Sequence, residues 1–208
     1  MDQRVETVLA RLEERSRSEI PRLLQLRAAG KTALRDVASE FMLDVGRDVG
    51  RMLNLMVRAA GATTVVEVGG SVGYSTIWLA EAVPRDSGRV ISFEPDDGKR
   101  VQQRQNLEDA GLLPVVELVG DDAGSVLPEL PGPFDLVFLD HWKELYKREF
   151  DLVWPKLRPG GLVIADNIIK PAKNAAIIAD YLAHVRQVAD ARTLVVDIGD
   201  GISLTVRE

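Results

Sequence analysis

Thr63-Thr64-Val65-Val66-Glu67-Val68-Gly69-Gly70-Ser71-Val72-Gly73-Tyr74-Ser75-Thr76 is the stretch whose reading decides the fold. A short β-branched apolar run stops at glycines, and a helical segment near Tyr74–Val83 follows at once. That is the pattern of a buried strand turning into a helix. The same pattern repeats downstream. Further apolar runs are Arg89–Phe93, Val115–Val119, Phe134–Leu139 and Gly161–Ala165. Helical segments near Gly98–Ala110, Ala123–Leu130 and Leu145–Leu157 separate them. Strands alternating with helices imply βαβ units and a mostly parallel sheet.

Toward the C-terminus the grammar changes. A helix is expected near Ala175–Ala189, then two strands, Thr193–Asp197 and Ile202–Val206. Gly199-Asp200-Gly201 between them reads as a tight turn, which predicts an antiparallel hairpin. Toward the N-terminus the first sixty residues read as helices. Val5, Leu9 and Leu12 share one helix face. Phe41, Val45, Val49, Leu53 and Val57 share another, over about Glu40–Ala60, and Gly30 and Gly61 look like helix stops. The expectation is one α/β domain over 1–208. Residues 1–60 form a helical cover, and 61–208 carry a seven-stranded, mostly parallel sheet ending in an antiparallel hairpin.

Composition narrows the chemistry. The chain has 208 residues, a net charge of −6 and no cysteine. Disulfides, thiolate metal sites and cysteine nucleophiles are excluded. With His141 and His184 the only histidines, a bound metal would be held by oxygen, which favours a hard cation such as magnesium. The acidic balance gives no nucleic-acid footprint. No apolar run reaches the length of a membrane span, and the N-terminus has no signal-like apolar core. A cytoplasmic protein is the expectation. The apolar faces of the N-terminal helices are available either to cover the core or to pair two copies as a homodimer.

In open α/β sheets ligands bind beyond the carboxyl ends of the strands. The first strand ends in the Gly69–Gly73 loop. Its glycines stand four apart, not as Gly-x-Gly-x-x-Gly, which argues against a dinucleotide and so against a nicotinamide dehydrogenase. Alone, such a loop reads equally well as an ordinary turn. The second strand ends at Glu94, a carboxylate suited to the two hydroxyls of a ribose. The third ends at Asp121-Asp122, either of which suits an adenine amino group; Asp122 suits a helix N-cap as well. A glycine turn, a ribose acid and an adenine acceptor describe a nucleoside site without a phosphate site, and S-adenosylmethionine is such a ligand.

The fourth strand delivers Asp140 to its tip and the fifth delivers Asp166-Asn167. Neighbouring strand tips lie about 5 Å apart. These three residues therefore make an oxygen set of the kind magnesium accepts while keeping room for water and substrate. Lys143 follows closely. A lysine beside a divalent cation gives up its proton more readily and serves as general base on a hydroxyl. Taken by itself it also reads as a surface lysine opening the next helix.

Asp140-His141-Trp142-Lys143-Glu144-Leu145-Tyr146 resembles the signature of the catechol O-methyltransferases. Leu157-Arg158-Pro159-Gly160-Gly161-Leu162 and Ala165-Asp166-Asn167 resemble both those enzymes and the wider cation-dependent O-methyltransferases, which include the caffeoyl-coenzyme A enzymes. Glu67-Val68-Gly69 with Gly73-Tyr74-Ser75 resembles their cofactor loop, and Asp180–Arg186 a helix of the catechol enzymes. The likeness runs from about Phe41 to Val206.

The resemblance implies a Rossmann-like methyltransferase fold, S-adenosylmethionine as methyl donor, magnesium or another divalent cation, and a small aromatic diol as substrate. It implies that Asp140, Asp166 and Asn167 bind the metal and that Lys143 is the base. Glu67, Gly69, Gly73, Tyr74 and Ser75 would form the cofactor loop, with Val45 beside it and Glu94 on the ribose. Asp140, His141 and Trp142 would lie against the cofactor, His141 and Trp142 near the adenine with Asp121 or Asp122. Phe41, Leu43, Trp142 and Pro171 would wall the substrate, and Lys143 and Asn167 would touch it. Asp197 stands where the catechol enzymes carry a glutamate that holds the second hydroxyl, one methylene shorter. The same chemistry on a caffeoyl-type, flavonoid or secondary-metabolite diol is the alternative. A non-catalytic S-adenosylmethionine binder is the other, although such a protein needs neither Lys143 nor the metal acids.

Overall fold

The computed structural model describes residues 1–29 and 37–208. The helix stop expected at Gly30 lies outside them. Helix α1 (Gln3–Ala29) buries Val5, Leu9 and Leu12 as their spacing predicts. No helix among the described residues is long and apolar enough to cross a membrane.

The strands are β1 (Thr64–Val68), β2 (Arg89–Phe93), β3 (Val116–Val119), β4 (Phe134–Leu139), β5 (Leu157–Ala165), β6 (Ala191–Val196) and β7 (Ile202–Arg207). They form one seven-stranded sheet in the order β3-β2-β1-β4-β5-β7-β6. The first five strands run parallel, and β7 pairs antiparallel with both β5 and β6. The mostly parallel sheet and its C-terminal hairpin are as the sequence predicts. The tight turn expected at Gly199-Asp200-Gly201 is present as well. The connection spans residues 197–201, with Gly201 N–H closing onto the Ile198 carbonyl at 2.9 Å.

Helices α2 (Arg47–Ala59), α3 (Tyr74–Ala82), α4 (Asp97–Asp109), α5 (Ala123–Val126), α6 (Tyr146–Val153) and α7 (Ala175–Arg186) cover the sheet. Alternate strand residues feed two cores. Val65, Leu136, Phe138 and Ile164 join Leu53 and Val57 of α2 and Ile77 of α3 on one side. Val66, Val137, Leu139 and Val163 join Phe150 of α6 and Tyr181 of α7 on the other. Burial on both faces is why these strands read as continuous apolar runs rather than as an alternation. Each such buried side chain contributes about 1.5–3 kcal/mol.

Four elements differ from the sequence reading by four residues or more at a boundary. The helix expected from Glu40 starts at Arg47, so Phe41 and Val45 lie in an extended segment before it. Asp44 Oδ1 accepts from the Gly46 N–H at 2.8 Å, and Gly46 has φ 78, a left-handed conformation that stops helical backbone at that point. The segment expected as a helix over Ala123–Leu130 is helical only to Val126; Pro128 has no N–H with which to continue the helical hydrogen bonds. The segment over Leu145–Leu157 is an α-helix only at Tyr146–Val153. Short 3-10 turns flank it, the second containing Pro155. Strand β5 begins at Leu157 rather than Gly161, with a register shift against β4 between Phe134 and Leu136.

Candidate active site

The register of the sheet assembles the site. Val68 pairs with Phe93 on one side and with Leu139 on the other, Leu139 pairs with Ala165, and Phe93 pairs with Val119. The next residue on each strand is therefore Gly120, Glu94, Gly69, Asp140 and Asp166, side by side along one edge at spacings of about 4.8 Å. Strand order reverses between β1 and β4, the point where an open sheet leaves a crevice for ligand. Gly69 and Asp140 stand at that reversal. Gly69 has φ 104, and a Cβ on it would sit 2.1 Å from the Asp140 carbonyl oxygen, so only glycine lets the two strand ends close together.

A cavity of about 1280 Å³ opens over this edge. Of the expected site residues, Phe41, Leu43, Val45, Gly69, Glu94, Asp121, Asp122, Asp140, His141, Trp142, Lys143, Asp166, Asn167 and Pro171 line it. Glu67, Gly73, Tyr74 and Ser75 do not. They stand behind the glycine loop. Glu67 is fully buried and accepts from Ser75 Oγ at 2.6 Å, Thr76 Oγ1 at 2.5 Å and Ser92 Oγ at 2.5 Å. Burial pushes its carboxyl up to about 7 against those hydrogen bonds. Tyr74 donates to Glu13 on α1 at 2.8 Å, tying the loop to the N-terminal helix.

Glu94 is held open toward the cavity by the backbone. Its Oε2 accepts from the Ser71 N–H at 2.8 Å and its Oε1 from the Asp96 N–H at 2.9 Å. Each oxygen keeps a lone pair for a hydroxyl donor. Lys99, buried nearby, also lines the cavity, and burial lowers its pKa. The segment bearing Phe41–Val45 is pinned from α1: Glu19 accepts from the Met42 N–H at 2.7 Å, and Ser16 bonds to Asp44.

At the acid end, Lys143 Nζ lies 3.2 Å from Asp140 Oδ1 and 2.7 Å from the Tyr146 hydroxyl. The Tyr146 hydroxyl in turn faces the carbonyls of Leu139 at 2.9 Å and Asp166 at 3.1 Å. Tyr146 has no role in the sequence reading; its spacing of three residues from Lys143, one helical turn, was the available signal. Burial, together with the charges of Asp140 and Asp166, pushes its phenol well above its ordinary pKa, so it stays protonated. Asp166 is 3% exposed, and burial and the negative charge of Asp140 raise its carboxyl well above the usual range.

Two carboxylates facing each other at the foot of a cavity hold their charge at a cost unless a cation joins them. Among the described residues no group of three or more His, Cys, Asp or Glu side chains gathers at one point. The donor set is instead two carboxylates and the amide of Asn167, and Asn167 holds φ 57 directly after Asp166. An all-oxygen set with one or two carboxylates suits magnesium, which keeps water in its remaining positions. The residues present fit the metal the resemblance implies.

Asp197 does not line the cavity; it is exposed at the end of β6. Asp200 lines it instead, and Asn167 Nδ2 donates to Asp200 Oδ2 at 3.4 Å. The reason lies in backbone pairing. The Asp200 carbonyl accepts from the Ile169 and Lys170 N–H groups, each at 2.9 Å, which docks residues 199–201 onto the loop after β5.

A family profile described as a methyltransferase domain matches residues 66–168. The chain is similar to the catechol O-methyltransferase of Niastella koreensis, 36% identical over 135 residues, 63% of this chain and 61% of that protein. It thus spans less than two thirds of that relative's length. It is also similar to the catechol O-methyltransferase of Sus scrofa, 30% identical over 154 residues, 71% of this chain and 80% of that one. The crystal structure of the O-methyltransferase from Bacillus cereus in complex with SAH superposes with a TM-score of 0.75 at 25% identity, covering 98% of this chain and 100% of that one.

Proposed function

Because this chain belongs to the S-adenosylmethionine-dependent O-methyltransferase family that includes the catechol O-methyltransferases, we propose that it methylates a hydroxyl of a vicinal aromatic diol. The observation that carries the reading is the row of strand tips, in which Glu94, Gly69, Asp140 and Asp166 follow in register, with Lys143 3.2 Å from Asp140. S-adenosylmethionine supplies a sulfonium methyl: the S–C bond breaks, an O–C bond forms, and S-adenosylhomocysteine leaves.

The residues divide the remaining work. Glu94 accepts from the ribose hydroxyls, and Gly69 allows the donor to approach the backbone. Asp121 and Asp122 border the base, with His141 and Trp142 across from them. Phe41, Leu43, Trp142 and Pro171 exclude water around the aromatic ring, which strengthens every charge interaction inside. Lys143 takes the proton of the reacting hydroxyl at Nζ, and Tyr146, which remains a phenol, holds that nitrogen in reach. Asp140, Asp166 and Asn167 would hold a divalent cation, which would supply positive charge beside the diol oxygens. Asp200 receives the second hydroxyl, the role the resemblance gives to Asp197. Positioning and charge do most of the catalysis, since the sulfonium is already activated.

The test is methyl transfer to catechol, caffeate and flavonoid diols, with and without EDTA, beside a binding titration with S-adenosylhomocysteine. Methylated diol and its loss in EDTA are expected. Full activity in EDTA would remove the cation from the mechanism. Tight binding of S-adenosylhomocysteine without turnover of any diol would make the chain a binder rather than an enzyme.

A further inference from the structure

Glu149 is a buried carboxylate that none of the steps above uses. Its side chain is 1% exposed and borders the cavity from α6. Its Oε1 accepts from Arg148 Nη2 at 2.8 Å. Its Oε2 meets Nε2 of His141, whose side chain is 12% exposed. The same Arg148 nitrogen lies 3.3 Å from both carboxylate oxygens of Asp122. A continuous polar bridge thus runs Asp122–Arg148–Glu149–His141. It links the loop after β3 to the loop after β4, and both loops line the cavity. Its middle rests on Gly124, where a Cβ would come within 2.3 Å of the guanidinium carbon, so a larger residue there would push the guanidinium aside.

A carboxylate sealed from water is costly unless something answers its charge. Here the answer is an arginine on one oxygen and an imidazole on the other. The consequence falls on His141. A carboxylate packed against Nε2 restricts the plane of the ring. The same bridge sets the separation of His141 from Asp122.

Building on the methyltransferase reading, we propose that Glu149 and Arg148 are positioning residues for the nucleoside base of the methyl donor. Glu149 fixes His141, and Arg148 ties that histidine's wall to the wall carrying Asp122, so the base enters a slot of preset width. Their effect falls on the KM for S-adenosylmethionine rather than on kcat, since neither touches Lys143 or the acids beside it.

The experiment combines calorimetric binding of S-adenosylhomocysteine with imidazole ¹⁵N spectra. The chain has only two histidines, so a His184→Gln sample assigns the His141 signals. Their chemical shifts report how the ring is held. Glu149→Leu should weaken binding by about tenfold and move the His141 signals, while Glu149→Gln, which still accepts at that position, restores most of both. Arg148→Met, at the exposed end of the bridge, should weaken binding by about threefold without loss of fold. Unchanged affinity and unchanged His141 signals in Glu149→Leu and Arg148→Met would overturn the positioning role and leave the methyltransferase reading intact. Failure of the wild type to bind S-adenosylhomocysteine would overturn both.

Discussion

Lys143 donates from Nζ to the Tyr146 hydroxyl at 2.7 Å, one helical turn further along the chain. The phenol is fully buried, and its own proton faces the carbonyls of Leu139 and Asp166. Those carbonyls belong to the ends of β4 and β5, the strands that also present Asp140 and Asp166. Lys143 and the candidate metal acids are therefore referenced to one backbone junction.

Removing that reference should lower turnover without emptying the site. Tyr146→Phe is expected to reduce kcat by about tenfold, the order of one lost hydrogen bond to a charged group. Affinity for S-adenosylhomocysteine should hold. Steady-state kinetics beside calorimetry check this, and an unchanged kcat would detach Tyr146 from the mechanism.

Lys143→Met removes the proposed proton acceptor. Turnover should fall by about 10²–10⁴-fold, the usual weight of a general base. S-adenosylhomocysteine should still bind, because Lys143 stands at the acid end of the cavity. A variant retaining a third of wild-type activity would hand the proton to another group.

Cation binding should depend on pH through Asp166. Burial and the neighbouring Asp140 raise its carboxyl well above the usual range, so near pH 6 a proton competes for the site. Binding of Mg²⁺ to the wild type should tighten from pH 6 to pH 8 and release protons as it does so. Calorimetry in two buffers of different ionisation enthalpy measures the release. Pale dependence on pH, with no proton release, would contradict the coupling.

Stability should carry the signature of Glu67. Its folded-state value of about 7 lies above the ordinary 4.5. Between these values the folded chain keeps a proton that the unfolded chain releases. Stability therefore falls as pH rises from about 4.5 to 7 and stays reduced above that. Glu67→Gln should flatten this part of the profile, read by urea unfolding at pH 5 and pH 7.5. Equal slopes in variant and wild type would show that other groups set it.

Asp200 and Asp197 separate by substitution. Asp200→Asn should raise the KM for the diol several-fold and loosen the choice between its two hydroxyls, since Asp200 lies beside Asn167 on the cavity wall. Asp197→Asn should leave both unchanged. Product ratios by chromatography distinguish the two, and the opposite pattern would restore the role to Asp197.

Much of the site was legible because the sheet is regular. Parallel strands buried on both faces announce themselves as apolar runs, and Glu94, Asp140 and Asp166 are simply the residues at which those runs stop. The predicted spans Thr64–Val68, Arg89–Phe93 and Phe134–Leu139 coincide with the observed strands. Glu67 was the instructive exception. It sits inside a strand, so its side chain points into the interior, where three hydroxyls receive it, and not toward the ligand edge.

What the sequence by itself determined was therefore the sheet, its ligand-binding edge and the acids along that edge, because strand period and strand ends are local properties of a few consecutive residues. Tertiary structure alone decided which loops meet above the edge. Asp200 rather than Asp197 reaches the cavity because its carbonyl takes the Ile169 and Lys170 amides. Phe41 and Val45 line the cavity because Asp44 and Gly46 keep helix α2 from starting before Arg47, and Glu19 and Ser16 hold the segment from α1. Glu149 meets His141 because α6 lies beneath the loop after β4. These choices rest on hydrogen bonds and ion pairs between residues distant in the chain, and no local periodicity encodes them.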